Sequence, residues 1–200
     1  MTVQANFRTA EHPINPLFLE RWSPRAFTDE AIPEAELLTI LEAAHWAPSS
    51  YNSQPWRFLY ARRGTPSWDR FLGLLNEFNQ SWAKNAAALV IIVSNSLMLT
   101  PGAEKPVPSH SHSFDAGAAW GSMALQATLL GWQAHGMVGF DLDRAFAELN
   151  VPQGYRVEAA IAIGRQGDKS LLPERMAARE VPSTRKPLAE VVLEGGFPAA

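Results

Sequence analysis

Three short segments of this chain concentrate side chains able to do chemistry. Arg21-Trp22-Ser23-Pro24-Arg25 places two guanidinium groups and a hydroxyl within five residues. Arginine offers forked N–H donors that suit a phosphate or the acceptor edge of a heterocycle, and serine adds a short donor. A solvated basic turn would read the same way. Pro48-Ser49-Ser50-Tyr51-Asn52-Ser53-Gln54-Pro55-Trp56-Arg57-Phe58 gathers hydroxyl, amide and aromatic groups between two prolines. Polar ligand contacts tend to sit on such loops when rigid elements flank them. Its bland alternative is a turn whose Ser and Asn satisfy local backbone groups. Late in the chain, Arg185 stands in Val181-Pro182-Ser183-Thr184-Arg185-Lys186-Pro187, a run that suits an anion or an idle basic surface equally.

Other chemistries lack their residues. The sequence has no cysteine, which removes disulfides, thiolate zinc, iron–sulfur clusters and cysteine nucleophiles together. Redox work would need a borrowed cofactor. His110 and His112 alternate among serines with no third ligand nearby, a weak basis for a metal site, so no metal is assigned. Gly-x-Gly-x-x-Gly, Walker and Gly-x-Ser-x-Gly patterns are absent, leaving Rossmann, P-loop and α/β-hydrolase readings unsupported. A net charge of -3 argues against nucleic acid as a partner. The longest apolar run, Ala86–Val93, is eight residues against about 20 for a membrane helix. With no secretory pattern in residues 1–20, the expected location is the cytoplasm.

The elements that must carry these segments follow from periodicity. Pro33 and Glu34 followed by Leu37, Leu38, Ile40, Leu41 and Ala44 predict a helix over 33–46, stopped by Pro48. Arg57–Arg62 reads as a strand, and a helix starting at Ser67 continues through Phe71, Leu74 and Leu75. Ala86–Val93 is apolar on both parities, as a central strand covered on both faces would be. Residues 100–113 form an exposed excursion. Phe114–Leu130 predicts a long helix with small residues at Gly117, Ala118, Gly121, Ser122 and Ala124; its thin polar face implies burial nearly all round and a subunit interface. Gln133–Phe140 and Arg156–Ile163 read as strands, with Asp141 capping a helix between them. Ala189–Leu193 recovers β character, which would let the tail add to a sheet edge. With 200 residues, 46% of them apolar, and no repeat, one α+β domain over 1–200 is the expectation, with an arm at 1–20 and an extension at 168–200.

In this order the segments resemble the nitroreductase family of FMN-dependent oxidoreductases. The resemblance rests on Arg-x-Ser-x-Arg at 21–25, Pro-Ser-Ser-x-Asn-Ser-Gln-Pro-Trp-x-Phe at 48–58, Gly-Phe-Asp at 139–141 and an arginine in a late proline-flanked segment. It implies an α+β sandwich with a mainly antiparallel sheet flanked by helices, and an intertwined homodimer with a swapped C-terminal segment. It also implies FMN as cofactor and NAD(P)H as co-substrate. Hydride would pass through flavin N5 to a small-molecule acceptor such as a nitroaromatic or quinone, in ping-pong order and with no catalytic side chain.

By the same resemblance Arg21 and Arg185, helped by Ser23, would hold the FMN phosphate, and Arg25 would reach the N1/O2 edge of the ring. Trp22 falls inside this motif. Asn79 would bond the pyrimidine edge, and Val138 and Gly139 would offer backbone N–H to N5 and O4. Pro48, Ser49, Ser50 and Asn52 would cover the ring from the other subunit. Trp22, Trp56 and Trp120 are then expected as walls of a dimeric site. Two positions depart from the family pattern: Ser183 stands where many relatives carry lysine, and Val138 where some carry glutamate. A flavin-binding module without turnover, and a flavin-fragmenting or dehalogenating relative of the same fold, are the alternatives.

Overall fold

A computed structural model describes residues 3–197. The arm opens with a hairpin of β1 (Val3–Ala5) and β2 (Arg8–Ala10), followed by the one-turn α1 (Leu17–Glu20). Then come α2 (Glu34–His45), β3 (Trp56–Arg62), α3 (Trp68–Gly73), α4 (Glu77–Ala83) and β4 (Ala88–Asn95). A small ribbon of β5 (Leu97–Met98) and β6 (Val107–Pro108) leads into α5 (His112–Leu129). The chain closes through β7 (Gln133–Met137), α6 (Leu142–Glu148), β8 (Tyr155–Gly164) and α7 (Glu174–Ala177).

The main sheet has order β3-β4-β8-β7, and every pairing is antiparallel. Successive side chains of a strand point to opposite faces, and β4 uses both. Leu89, Ile91 and Val93 enter one apolar cluster with Trp68, Phe71 and Trp82, while Ala88, Val90 and Ile92 enter the other with Leu37, Ile40 and Met123. Helices α2 and α5 therefore cover one face, and α3, α4 and α6 the other. This is the expected α+β sandwich with its antiparallel sheet flanked by helices.

Several local expectations give way to longer-range contacts. The helix at Ser67 stops at Gly73, and a second begins at Glu77, where the Asn76 side chain accepts from Asn79 N at 2.9 Å. The strand at Gln133 ends at Met137, although Phe140 still bridges to Leu75. Its departure is fixed by the Gly139 carbonyl, which accepts from Asn76 N at 3.0 Å and Asn79 Nδ2 at 2.9 Å and so turns toward α4.

Helix α5 buries Asp115, Ala116, Ala119, Met123, Ala124 and Ala127, whereas Phe114 and Leu129 are exposed. One chain supplies a single sheet for it to lie on, so within one chain the helix is covered on one side only. The excursion at 100–113 is shorter than expected, because β6 pairs with β5 and α5 starts at His112. The tail forms a 3₁₀ turn at Leu188–Glu190 rather than a strand; Pro187 precedes it and Leu188 N donates to Glu11 Oε1 at 2.8 Å. Within one chain that segment lies against the N-terminal arm and not in the sheet. Residues 1, 2 and 198–200 at the ends of the arm and extension lie outside the described residues.

Candidate functional site

A groove of about 490 Å³ runs along the β7 edge of the sheet, between Arg21 and Ser23 at one end and Val138 at the other. Its floor is made by small residues, among them Gly121 and Ala124 of α5 and Gly136 of β7, with Trp120 alongside. Gly136 fits closely there: a Cβ would lie 3.2 Å from the Trp120 ring, and the indole would have to give way by a few tenths of an ångström. The result is a shallow, flat, apolar floor, the shape that receives a planar aromatic ring.

Three arginines meet at the Arg21 end. Arg8 is 9% exposed; its Nη2 donates to the carbonyls of Leu19 and, at 3.1 Å, of Arg21. Arg21 Nη1 reaches Ser23 Oγ at 3.4 Å, and Arg185 Nη1 reaches Ser183 Oγ at 3.1 Å. Arg8 and Arg185 line one further cavity together. Burial lowers the pKa of Arg8, and the charges of Arg185 and Arg21 lower it further; burial and then Arg185 do the same to Arg21. Among the described residues none of the three has a carboxylate partner, and Arg8 Nε is buried with no acceptor. Like charges held this close, partly dehydrated and unpaired, favour an anion between them.

Sequence spacing places Arg21 and Ser23 together and the structure adds Arg185 from 164 residues away. It does not point to Arg8, a lone arginine in a three-residue strand whose contact with Arg21 exists only once the hairpin folds back over α1. Nor does it point to Glu180. This carboxylate is 7% exposed, and its Oε1 accepts from Arg25 N and, at 2.8 Å, from Ala26 N. Oε2 lies 3.6 Å from Arg25 Nη1 and has no hydrogen-bond donor. Arg25, unlike the other three, is thus held and balanced by its own chain. Beside it His135 Nδ1–H donates to the Pro24 carbonyl at 2.9 Å, and the ring packs on Trp82 at 4.7 Å between centroids. Burial first, then the Arg25 charge, pushes the His135 pKa down, and the imidazole is neutral near pH 7.

At the far end Val138 is 83% exposed and projects from the rim. Gly139 sits in a cradle that a side chain would fill, with Asn76 Nδ2 at 2.4 Å and Asn79 Nδ2 at 2.8 Å from a Cβ placed there. Asn79, 8% exposed, therefore spends its amide N–H on the Gly139 carbonyl.

The Pro48–Asn52 loop stands apart from this groove and lines none of it. The loop is nonetheless ordered by specific bonds. Ser49 Oγ accepts from Gln54 N at 3.0 Å, and Ser50 N donates to Asp115 Oδ2 at 3.2 Å. Asp115, 3% exposed in the first turn of α5, also accepts from Ser111 Oγ at 3.0 Å. Tyr51, Asn52 and Gln54 adopt φ of 51°, 52° and 47°. That left-handed backbone suits Asn, but costs about 1 kcal/mol or more at Tyr and Gln. Of the three tryptophans expected as walls, Trp120 lines the groove. Trp22 and Trp56 are buried in the core at 7% and 3% exposure, with the Trp22 indole N–H donating to Gln166 Oε1 at 3.1 Å.

A sequence profile of the Nitroreductase family matches residues 19–71, the span from the first arginine motif through the polar loop. A solved structure described as an oxidoreductase containing FMN is 52% identical with a TM-score of 0.95, covering 99% of this chain and 100% of that one. A putative nitroreductase solved in complex with FMN, from Desulfovibrio desulfuricans, is 29% identical with a TM-score of 0.71, covering 94% and 100%. In sequence, an NADH dehydrogenase of Thermus thermophilus is 29% identical over 88% of this chain and 92% of its own.

Proposed function

The chain belongs to the nitroreductase family and is an NAD(P)H-dependent oxidoreductase; we propose that it works on FMN seated in the β7 groove, with the phosphate between Arg8, Arg21 and Arg185. The observation that carries this reading is an arginine trio with no ion-pair partner among the described residues, which has charge and donors to spare beside a flat apolar floor. Arg8 supplies a third guanidinium to a clamp in which Ser183 stands without a charge.

FMN, when bound, would supply the redox chemistry that links NAD(P)H to an acceptor. The chain's residues bind and bias it. Arg21 and Arg185 with Ser23 fix the phosphate. Arg25, kept in place by Glu180, sets a positive charge at the N1/O2 edge, which favours build-up of negative charge there. Asn79 and the backbone N–H groups of Val138 and Gly139 border the remaining polar edge, and Gly139 lets that backbone pack against Asn76 and Asn79. Neutral His135 holds the Pro24 carbonyl and so the turn that carries Arg25. No side chain acts as nucleophile. Nitroaromatics and quinones are the proposed acceptor class.

The groove covers one face of a planar ring only. A second copy of the chain, bringing Pro48, Ser49, Ser50 and Asn52, completes the site in this proposal. Support comes from α5, where a Cβ on Gly117 or Gly121 would meet nothing within 4 Å in one chain, so small residues line an open face suited to close approach of a partner.

The test is an absorbance spectrum of the purified protein, followed by anaerobic addition of NADH or NADPH. Flavin bands that bleach on addition and return with a quinone support the reading. A colourless protein that takes up no added FMN overturns it.

A further inference from the structure

Beyond the groove, a second cavity of about 480 Å³ opens on the other side of Arg25. It is lined by Arg25, Phe78, Pro173, Arg175, Met176 and Arg179. Its composition is unusual for a cavity of this size: three guanidinium groups and three apolar side chains, with no carboxylate in the lining. Arg25 is balanced by Glu180. Arg175 and Arg179 have no ion-pair partner among the described residues. Arg175 lies in α7 and Arg179 two residues past its end, and both face the cavity. The opposing wall is Phe78, which is 54% exposed and is the immediate neighbour of Asn79 in α4. The cavity therefore lies between the proposed pyrimidine edge, through Arg25 and Asn79, and the C-terminal extension.

A flat apolar wall facing two unpaired guanidinium groups recognises an aromatic or planar body that carries negative charge, because the ring packs on Phe78 and Met176 while the fork donates to phosphate or carboxylate oxygens. Water screens these exposed arginines when nothing is bound, and a ligand packed over them removes part of that screening. We propose that this cavity is a subsite for an anionic group, phosphate or carboxylate, carried by one of the two reactants that approach the flavin beside Arg25. The proposal rests on the flavin reading for its role in the reaction, though not for the binding itself. It makes Arg175 and Arg179 specificity-determining residues, and it gives the extension around α7 a part in choosing the reactant.

The charge can reside on the reductant or on the acceptor, and two matched pairs of probes separate these sources. NADP⁺ differs from NAD⁺ by one phosphate, and 4-nitrobenzoate differs from nitrobenzene by one carboxylate. Calorimetric titration of each into the protein as purified, and into Arg175→Gln/Arg179→Gln, reads the preference without turnover. The wild type is expected to bind the charged member of one pair roughly tenfold or more tightly than its neutral partner. The double variant should lose that preference while keeping affinity for the uncharged member. A response in the dinucleotide pair identifies the reductant as the source, and one in the nitroaromatic pair identifies the acceptor. Equal affinities within both pairs in the wild type, or a preference that survives the double substitution, would overturn the proposal. Both substituted residues are exposed at the rim, and an unchanged melting temperature certifies the fold. A chain that takes no FMN yet shows the arginine-dependent preference would sink the flavin reading and leave the anion subsite standing.

Discussion

Arg25 lies four residues from Arg21 in the sequence, yet it and the trio of Arg8, Arg21 and Arg185 are handled in opposite ways. Arg25 has a buried carboxylate of its own, since Glu180 bonds its backbone and faces its guanidinium at 3.6 Å. Among the described residues the trio bonds only to hydroxyls and carbonyls, and Arg8 keeps a buried N–H without an acceptor. A charge paired within the chain is positioned and partly neutralised before any ligand arrives. Charges left unpaired make the empty chain less stable and hold their attraction for an anion in reserve. The first arrangement suits a residue that tunes a ring edge, and the second suits a phosphate seat.

That contrast breaks most visibly at Glu180. Glu180→Ala strips acceptors from two backbone N–H groups and leaves Arg25 without its counter-charge, so unfolding by denaturant should show a loss of about 2–4 kcal/mol. An unchanged midpoint would mean that the pair is ornamental. Arg21→Ala should do the reverse. The flavin-free chain keeps its stability to within about 0.5 kcal/mol because like-charge repulsion is relieved, whereas FMN binding weakens by about 1.5–3 kcal/mol, roughly 10- to 150-fold. Loss of fold stability without loss of FMN would reverse the roles assigned to the two sets.

Gly139→Ala tests the opposite end of the groove. Both Asn side chains that crowd it are already bonded, Asn76 to Asn79 N and Asn79 to the Gly139 carbonyl, so neither yields freely. A cost of about 1–2 kcal/mol is expected in thermal unfolding, together with weaker flavin binding.

Two solution variables sharpen the comparison. Added salt shortens the Debye length from about 10 Å at 0.1 M to about 3 Å at 1 M, so FMN affinity should fall with ionic strength while riboflavin, which lacks the phosphate, holds steady. The last handle is pH. His135 has its folded pKa below the ordinary value of about 6.5, through burial first and Arg25 second. The unfolded chain therefore protonates first on acidification. His135 contributes a stability that is level above the unfolded value and declines as pH drops through 6.5 toward the folded value. His135→Gln should flatten that part of a stability–pH curve, and an unaltered slope would place its origin elsewhere.

Elements held by local pattern were legible in the sequence. The i, i+3, i+4 run from Leu37 to Ala44 gave α2 to within a residue at each end, Asp141 capped α6 with its side chain on Arg144 N, and the two-sided apolar run at 86–93 became the interior strand β4. Elements decided by distant partners were not. The break between α3 and α4 depends on Asn76 N meeting Gly139 O, and the end of β7 depends on the same contact seen from the other side. The tail's Ala189–Leu193 has strand residues but finds no ladder within one chain, and Pro187 starts a turn instead.

The candidate site divides along the same line. Arg21, Ser23 and Arg25 share one motif and were visible as a set. Arg8 lies in a separate hairpin, and Glu180 is 155 residues from Arg25; no spacing rule links either to the motif. What could have flagged Glu180 is only the expectation that a buried arginine turn needs an acid somewhere, which names a residue type and not a position.

The central claim is that the arginine trio seats a phosphate. It is tested most directly by titrating the flavin-free protein with FMN and with riboflavin, which present the same ring and differ at the phosphate. FMN is expected to bind at least about 100-fold more tightly, and Arg8→Ala, Arg21→Ala and Arg185→Ala should each narrow the gap by weakening FMN alone. Equal affinities for the two flavins, or a gap that none of the three substitutions narrows, would contradict it.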